Sequence, residues 1–320
     1  MSGCRMRFSI LAYFAGAAFV STVVTASDIG FISAGASHTC IIDNNVGTVK
    51  CTGENSQHSQ APLEAVAGGS FAHVSSGMTH TCAVVGVNSG DDEPGFIKCW
   101  GKNDMGQAPN SKTPLNWPAE NYLQVAVGPP GHTCAIIDTG EVQCWGTNFA
   151  GAAQTNIPGT FSQIDAGTYH TCAISTDKDV KCWGSNWFGQ APKSLTGGVY
   201  KHVSAGFHHT CVTMVNGTVD CFGENNHNQV NCPAGKFKQA AVGGYHSCAL
   251  FDDEGRNRVT CWGDNTFQQA PAVVFPALGD GFNFSAINTG ATHTCAYVVN
   301  ATSHKYAETQ CWGWNVDEEP

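Results

Sequence analysis

The sequence predicts an all-β protein assembled from seven copies of one three-stranded unit. Three observations carry this. A histidine stands two residues before a cysteine seven times, and a second cysteine follows each of these by 10 to 17 residues. No helical periodicity interrupts the strand-like alternation between copies. Glycine is abundant, 37 of 320 residues, and charge is sparse at 12%, which suits short strands joined by many tight turns.

Each unit opens with a strand-like phrase such as "YLQVAVG", "FSQIDAG" or "YKHVSAG". The histidine phrase follows: "GASHTC", "GMTHTC", "GPPGHTC", "GTYHTC", "GFHHTC", "GYHSC" and "GATHTC", ending at Cys40, Cys82, Cys134, Cys172, Cys211, Cys248 and Cys295. The second cysteines are Cys51, Cys99, Cys144, Cys182, Cys221, Cys261 and Cys311. Five of these begin "CWG", with "CTG" at Cys51 and "CFG" at Cys221, and an asparagine stands two residues after the glycine in all seven. The period runs from 37 to 52 residues. Each unit therefore reads as strand, turn, strand, turn, strand.

The N-terminus carries a processing signal. Arg5 and Arg7 precede the apolar stretch "FSILAYFAGAAFV", which is too short to span a bilayer, and Val24 and Ala26 place small residues before a cleavage point at Ser27. Residues 1–26 are thus expected to be a signal peptide and 27–320 a single domain, secreted and extracellular, with no membrane span. Removing two of the 15 basic residues leaves 13 against 25 acidic ones, a net charge of −12. That balance repels phosphate backbones, so nucleic acid is not expected as a partner.

An oxidising compartment decides the cysteines. In "HTCAIIDTGEVQCWG" a turn centred on Thr139 sets Cys134 directly across from Cys144 on an antiparallel pair, within disulfide reach. The same construction pairs Cys172 with Cys182 and Cys211 with Cys221. Longer hairpins separate the partners in the second, sixth and seventh units. Seven intra-repeat bridges are expected. A metal site would not recur seven times at one strand position, and a catalytic Cys/His pair needs one free thiolate. Neither a metal nor a cofactor is expected, and the repeated histidine is expected to spend its ring nitrogens on backbone groups of its own or the next repeat.

The pattern G-x-x-H-[ST]-x-A-x-x-x-x-G-x-V-x-x-W-G-x-N-x-x-G-Q resembles the regulator of chromosome condensation repeat. "GTYHTCAISTDKDVKCWGSNWFGQ" (167–190) follows it almost position by position, and the seven copies cover nearly all of the mature chain. This repeat is met also in the beta-lactamase inhibitory protein II family and, with paired cysteines, in the ectodomains of Crinkly-type plant receptor kinases. The resemblance implies a seven-bladed β-propeller. Ring closure has separate support: the first and last units keep the His-Thr-Cys phrase, where an open solenoid would end on atypical caps. The last unit stops at "CWGWNVDEEP", and "GFISAG" at the mature N-terminus is expected to complete the last blade.

Repeated positions maintain the ring, so recognition is expected where the repeats differ. The loop after "CWGxN" varies and carries Met105, Phe149, Trp187, Phe188, His227 and Phe267. Equivalent loops fall on one face, and aromatic side chains on a rigid rim suit a protein hot spot or carbohydrate stacking; packing between blades is the alternative use. The insertions 86–96 and 110–121, the latter with Trp117, are further candidates. Asn216, Asn283 and Asn300 lie in glycosylation sequons, the first and last in hairpin loops that share a face.

Cys232 stands outside the pairs. Sixteen cysteines, less Cys4 in the signal and 14 in pairs, leave this one. Its roles are a buried thiol, a disulfide to a second chain giving a covalent dimer, or a modification site. No nucleophile elbow, zinc helix, phosphate loop or calcium loop is present in the sequence, and guanine-nucleotide exchange is not carried over from the nuclear relative. The expected function is recognition of an extracellular protein through the variable loops. Lectin-like binding of a cell-wall or surface polysaccharide is the alternative and a polysaccharide-cleaving enzyme the third reading.

Overall fold

The computed structural model describes residues 32–43, 47–53, 70–86, 95–109, 121–252 and 258–314. The stretch 1–26 expected to be a signal peptide, most of both insertions (with Trp117) and the acidic tail lie outside the described residues. Seven antiparallel three-stranded sheets are formed, each from one consecutive stretch of chain. Blade one is β1 (Ile32–Ala34), β2 (His38–Asp43) and β3 (Thr48–Gly53); blade two is β4 (Phe71–Ser76), β5 (His80–Val85) and β6 (Ile97–Gly101). Blade three is β7 (Tyr122–Gly128), β8 (His132–Ile137) and β9 (Val142–Gly146); blade four is β10 (Phe161–Ala166), β11 (His170–Ser175) and β12 (Val180–Gly184). Blade five is β13 (Tyr200–Ala205), β14 (His209–Met214) and β15 (Val219–Gly223); blade six is β16 (Phe237–Val242), β17 (His246–Phe251) and β18 (Val259–Gly263). Blade seven is β19 (Phe282–Thr289), β20 (His293–Asn300) and β21 (Tyr306–Gly313). No described helix is long and apolar enough to cross a membrane.

The first strands line a narrow axial channel and the third strands lie outermost. Middle strands such as "HTCAII" of β8 are buried at every position, because both faces of a blade are covered by its neighbours. Apolar residues gather between adjacent blades, not within one. Val84 and Ile97 of blade two meet Tyr122, Val125 and Ile137 of blade three, and Ile32 of blade one meets Ala286, Tyr297 and Val299 of blade seven. Seven such clusters form one closed cycle, and no blade could bury its faces alone.

The cysteine pairs oppose one another in register in every blade, Cys134 against Cys144 and Cys172 against Cys182 among them. Seven bridges join Cys40–Cys51, Cys82–Cys99, Cys134–Cys144, Cys172–Cys182, Cys211–Cys221, Cys248–Cys261 and Cys295–Cys311. The first cysteine of each pair is completely buried.

Closure differs from the expectation. The N-terminal strand β1 does not complete the last blade: Ser33 pairs with Cys40 of β2, so blade one is made wholly of its own segment. Blade seven already holds three strands. The ring closes face to face, with β1 packed on β19 and β20, the Ala291 N–H donating to the Gly35 carbonyl at 3.2 Å and the Tyr297 hydroxyl to the Ile42 carbonyl at 3.0 Å. The unit that folds as a blade begins one strand earlier than the unit that catches the eye, because the histidine phrase marks the middle strand.

The histidines hold the ring together through Nε2, whose partner is a side-chain hydroxyl where a backbone group was expected. Nε2 of each lies 2.8–3.1 Å from the hydroxyl of the Thr or Ser following the histidine in the next blade. The cycle runs His38–Thr81, His80–Thr133, His132–Thr171, His170–Thr210, His209–Ser247, His246–Thr294 and His293–Thr39. Thr133, Thr171, Thr210, Ser247 and Thr294 each donate their single hydrogen to a carbonyl of the preceding blade, so His80, His132, His170, His209 and His246 must donate through Nε2–H. A Cβ on the glycine opening this phrase would strike both the imidazole and the next blade's glycine carbonyl, as at Gly35 and Gly167, which explains the repeated glycine.

Candidate binding face

The loops after the third strands are set by their own repeated residues. The asparagine side-chain carbonyl accepts the N–H five residues on: Ala108 to Asn103 at 2.9 Å, Ala153 to Asn148 at 3.0 Å, Ala191 to Asn186 at 2.8 Å, Val230 to Asn225 at 3.1 Å and Ala270 to Asn265 at 2.8 Å. The glutamine of "GQ" turns back: Gln107, Gln190, Gln229 and Gln269 accept the N–H of Met105, Phe188, His227 and Phe267 at 2.8–2.9 Å. Its backbone carbonyl receives the next blade's tryptophan, as Trp262 Nε1 on Gln229 at 2.9 Å. The fourth loop position is left-handed in Gly106, Gly151, Gly189, Asn228 and Gln268, φ 62–85°, which favours glycine but tolerates the polar pair. Asn, Gln and Trp are therefore consumed by structure, while the side chains between Asn and Gln face solvent.

The six candidate residues fall at two adjacent loop positions, Phe149 and Trp187 at the first, Met105, Phe188, His227 and Phe267 at the second. They do not tuck between blades: Met105 is 62% exposed, Trp187 72%, Phe188 47% and Phe267 44%. Rings meet across the loops instead. Phe149 lies 4.7 Å from Tyr169 and 5.9 Å, edge-on, from Trp187. Phe188 lies 5.1 Å from His208; Tyr245 sits between Phe207 at 5.8 Å and His227 at 5.2 Å; Phe267 stacks on Trp314 at 5.4 Å. The belt runs from blade three to blade seven, and Met105 of blade two is exposed at the same end.

Half of these partners were outside the sequence-level candidates. Tyr169, Phe207, His208 and Tyr245 occupy the two variable places of G-x-x-H, the turn between first and second strands. Register puts this turn beside the Asn loop, since His170 pairs with Gly184, at the strand end from which Asn186 departs. Aligning those two places across the seven copies would have exposed the signal.

The opposite end carries the sequons. Asn216 lies in the β14–β15 hairpin and Asn300 ends β20 at its hairpin; Asn283 joins them because Phe282 pairs with Asn300 and Asn283 with Val299. Asn216 is exposed and the other two half-buried.

The axial channel encloses about 90 Å³ and is polar. Its side chains stitch neighbouring inner strands: Gln163 exchanges two hydrogen bonds with the Val203 backbone, and the hydroxyls of Ser33 and Ser75 accept the Ser76 and Val127 N–H groups. Burial pushes the Asp165 carboxyl up to about 6, against the backbone N–H groups of Ala205 and Ala166 and the Ser204 hydroxyl, which pull it down. Burial lowers His73 and His202 to about 4.

The residue left over, Cys232, is half-buried against the apolar cluster of blades five and six that includes Val219 and Phe237. Burial, with the nearby Asp220 carboxylate, pushes its thiol up to about 12. A thiol so placed is a poor bridge to a second chain.

A family model described as the regulator of chromosome condensation (RCC1) repeat matches residues 31–60, 161–190, 200–229 and 237–269, so these four stretches are RCC1-like repeats. Among solved structures it is similar to the CRINKLY WD40 ectodomain of the receptor kinase ACR4 from Arabidopsis thaliana, 21% identical, covering 90% of this chain and 96% of that one at a TM-score of 0.67. The entire ectodomain of the receptor kinase CR4 from Physcomitrella patens is 21% identical, over 89% of this chain and 73% of that one, at 0.68. Prp20p from Saccharomyces cerevisiae, whose binding to Gsp1p and histones has been described, is 17% identical over 85% and 82%, at 0.66. No curated protein matches the chain by sequence. At these identities the likeness establishes the fold alone, a propeller; the seven blades and their seven disulfides are those described above.

Proposed function

We propose that the chain is an extracellular binding module that recognises a protein through the aromatic end of the propeller. The observation that carries this reading is the belt of rings on side chains that the fold does not use. Asn186, Gln190 and Trp183 are engaged in holding the loop and the blade, while Trp187 and Phe188 between them are exposed. A monomeric surface seldom leaves so many large rings in water without a use, and rigid rings cost little conformational entropy on binding. Seven disulfides suit a secreted chain, with residues 1–26 as the leader, and two of the structural neighbours are receptor ectodomains. All three sequons lie at the hairpin end, so N-glycans attached to them would leave the aromatic end uncovered.

The test is affinity capture from the native extracellular medium on three columns: the unaltered chain, W187A/F188A, and a hairpin-end variant, D177N/V215A. Loss of a captured protein with the aromatic variant alone supports the reading. Equal capture by all three, or loss with the hairpin variant, overturns it. Capture of a polysaccharide in place of a protein, lost with W187A/F188A, transfers the same face to carbohydrate stacking.

A further inference from the structure

Blade five holds three cysteines where the other blades hold two. The Sγ atoms of Cys211, Cys221 and Cys232 all lie within 4.8 Å of one another. The fold brings them together for an identifiable reason. After the Asn loop the chain descends along the outer edge of its own third strand. In blade six this segment approaches closely enough for the Cys261 N–H to donate to the Pro271 carbonyl at 3.2 Å, and in blades four and six it forms isolated bridges, Val180 with Leu195 and Val259 with Val274. Cys232 follows Gln229 by three residues, as Ala272 follows Gln269, so it descends beside Cys221 as Ala272 descends beside Cys261.

We propose that this cluster is a thiol–disulfide exchange site, in which Cys232 displaces Cys211 from Cys221 without any external oxidant. Cys232 loses its proton to solvent, its thiolate attacks the Cys221 Sγ, the Cys211–Cys221 bond breaks, and Cys211 leaves as a thiolate that takes up a proton. One disulfide and one thiol are present before and after, so the electrons balance. Cys221 is the sulfur open to attack, being half-exposed where Cys211 is fully buried. The new bond would tie the segment Glu224–Asn231, which carries His227 of the aromatic belt, between two linked cysteines and leave the buried Cys211 as the free thiol. Blade five would then have two covalent forms that differ at the binding end. The high thiol pKa makes exchange slow at neutral pH and faster as the thiolate fraction rises.

The experiment is a non-reducing peptide map of the unaltered chain. Samples are held at pH 7, 8 and 9, quenched in acid, alkylated under conditions that prevent further exchange, and digested with pepsin. The proposal expects the alkyl label to move from Cys232 to Cys211 with appearance of a Cys221–Cys232 linked peptide. The rate should rise about tenfold per pH unit and be independent of protein concentration. C232S should keep Cys211–Cys221 throughout. C211S, refolded in a glutathione buffer, should form Cys221–Cys232; if that variant does not fold, the map of the unaltered chain decides alone. A label that stays on Cys232 at pH 9, or a linked peptide whose rate scales with protein concentration, overturns the proposal.

Discussion

Nε2 of His293 lies 2.9 Å from the hydroxyl of Thr39, 254 residues earlier in the chain. This contact is the seventh member of a cycle whose other six join consecutive blades, and it gives the last blade the same neighbour relation as every other. Thr39→Val removes the hydroxyl and leaves the buried Nε2 of His293 without this partner. The expected loss is about 1–3 kcal/mol, read as a lower urea midpoint, and equal in kind to that of Thr171→Val in the middle of the chain. A neutral Thr39→Val beside a costly Thr171→Val would mean that the closing seam carries little stability.

Acid should unfold this protein earlier than its carboxylates alone would require. Burial lowers His38, His73, His132 and His202 to about 4, and His80, His170, His209 and His246 to about 3, from an ordinary 6.5. These rings stay neutral in the folded chain while the unfolded chain takes up protons below pH 6.5. Their contribution is complete above that pH and is lost as pH falls toward 4 and then 3. Asp165 has the opposite sign, since its pKa is raised to about 6 from 3.8: its burial costs stability above pH 6 and the cost is relieved below it. Eight groups outweigh one. Thermal midpoints at pH 7.5, 6, 5 and 4 should fall progressively below 6.5, and a flat profile would contradict the burial of the histidine cycle.

Much of this fold is legible in the sequence because its determinants are local and repeated. Hairpin spacing places Cys134 opposite Cys144, and the register agrees. Strand positions, the loop carrying Trp187 and Phe188, and the leftover Cys232 follow from the same alignment of copies. What was missed lies between blades. That β1 opens blade one depends on which neighbour satisfies its edge, and the sequence phrase centred on the histidine hides this phase. Tyr169, Phe207 and Tyr245 reach the aromatic belt only because two separate turns emerge at one end of each sheet, a relation of register and not of spacing along the chain.

Exposed belt residues should matter for binding and not for folding. Trp187→Ala and Phe188→Ala change side chains that the loop bonds do not involve, so the urea midpoint should correspond to a shift within about 0.5 kcal/mol of the unaltered chain. Differential scanning at neutral pH checks this. A large destabilisation would assign these rings to packing after all.

Asn186→Ala should separate loop order from ring chemistry. Its side chain accepts the Ala191 N–H at 2.8 Å and so fixes the turn that presents Trp187 and Phe188. About 1 kcal/mol of stability should be lost with the hydrogen bond. Amide exchange at 187–190 should quicken, and binding at the aromatic end should weaken although both rings remain. Unchanged exchange at the loop would show that Gln190 alone suffices to hold it.

Ring closure is tested most directly by amide hydrogen exchange across the whole chain. A closed ring gives every middle strand two neighbours, so β2 of blade one and β20 of blade seven should be protected as strongly as β8, β11 and β14. Exchange in β2 and β20 faster by orders of magnitude than in those central strands would be the behaviour of an open stack with frayed ends, and would contradict the propeller.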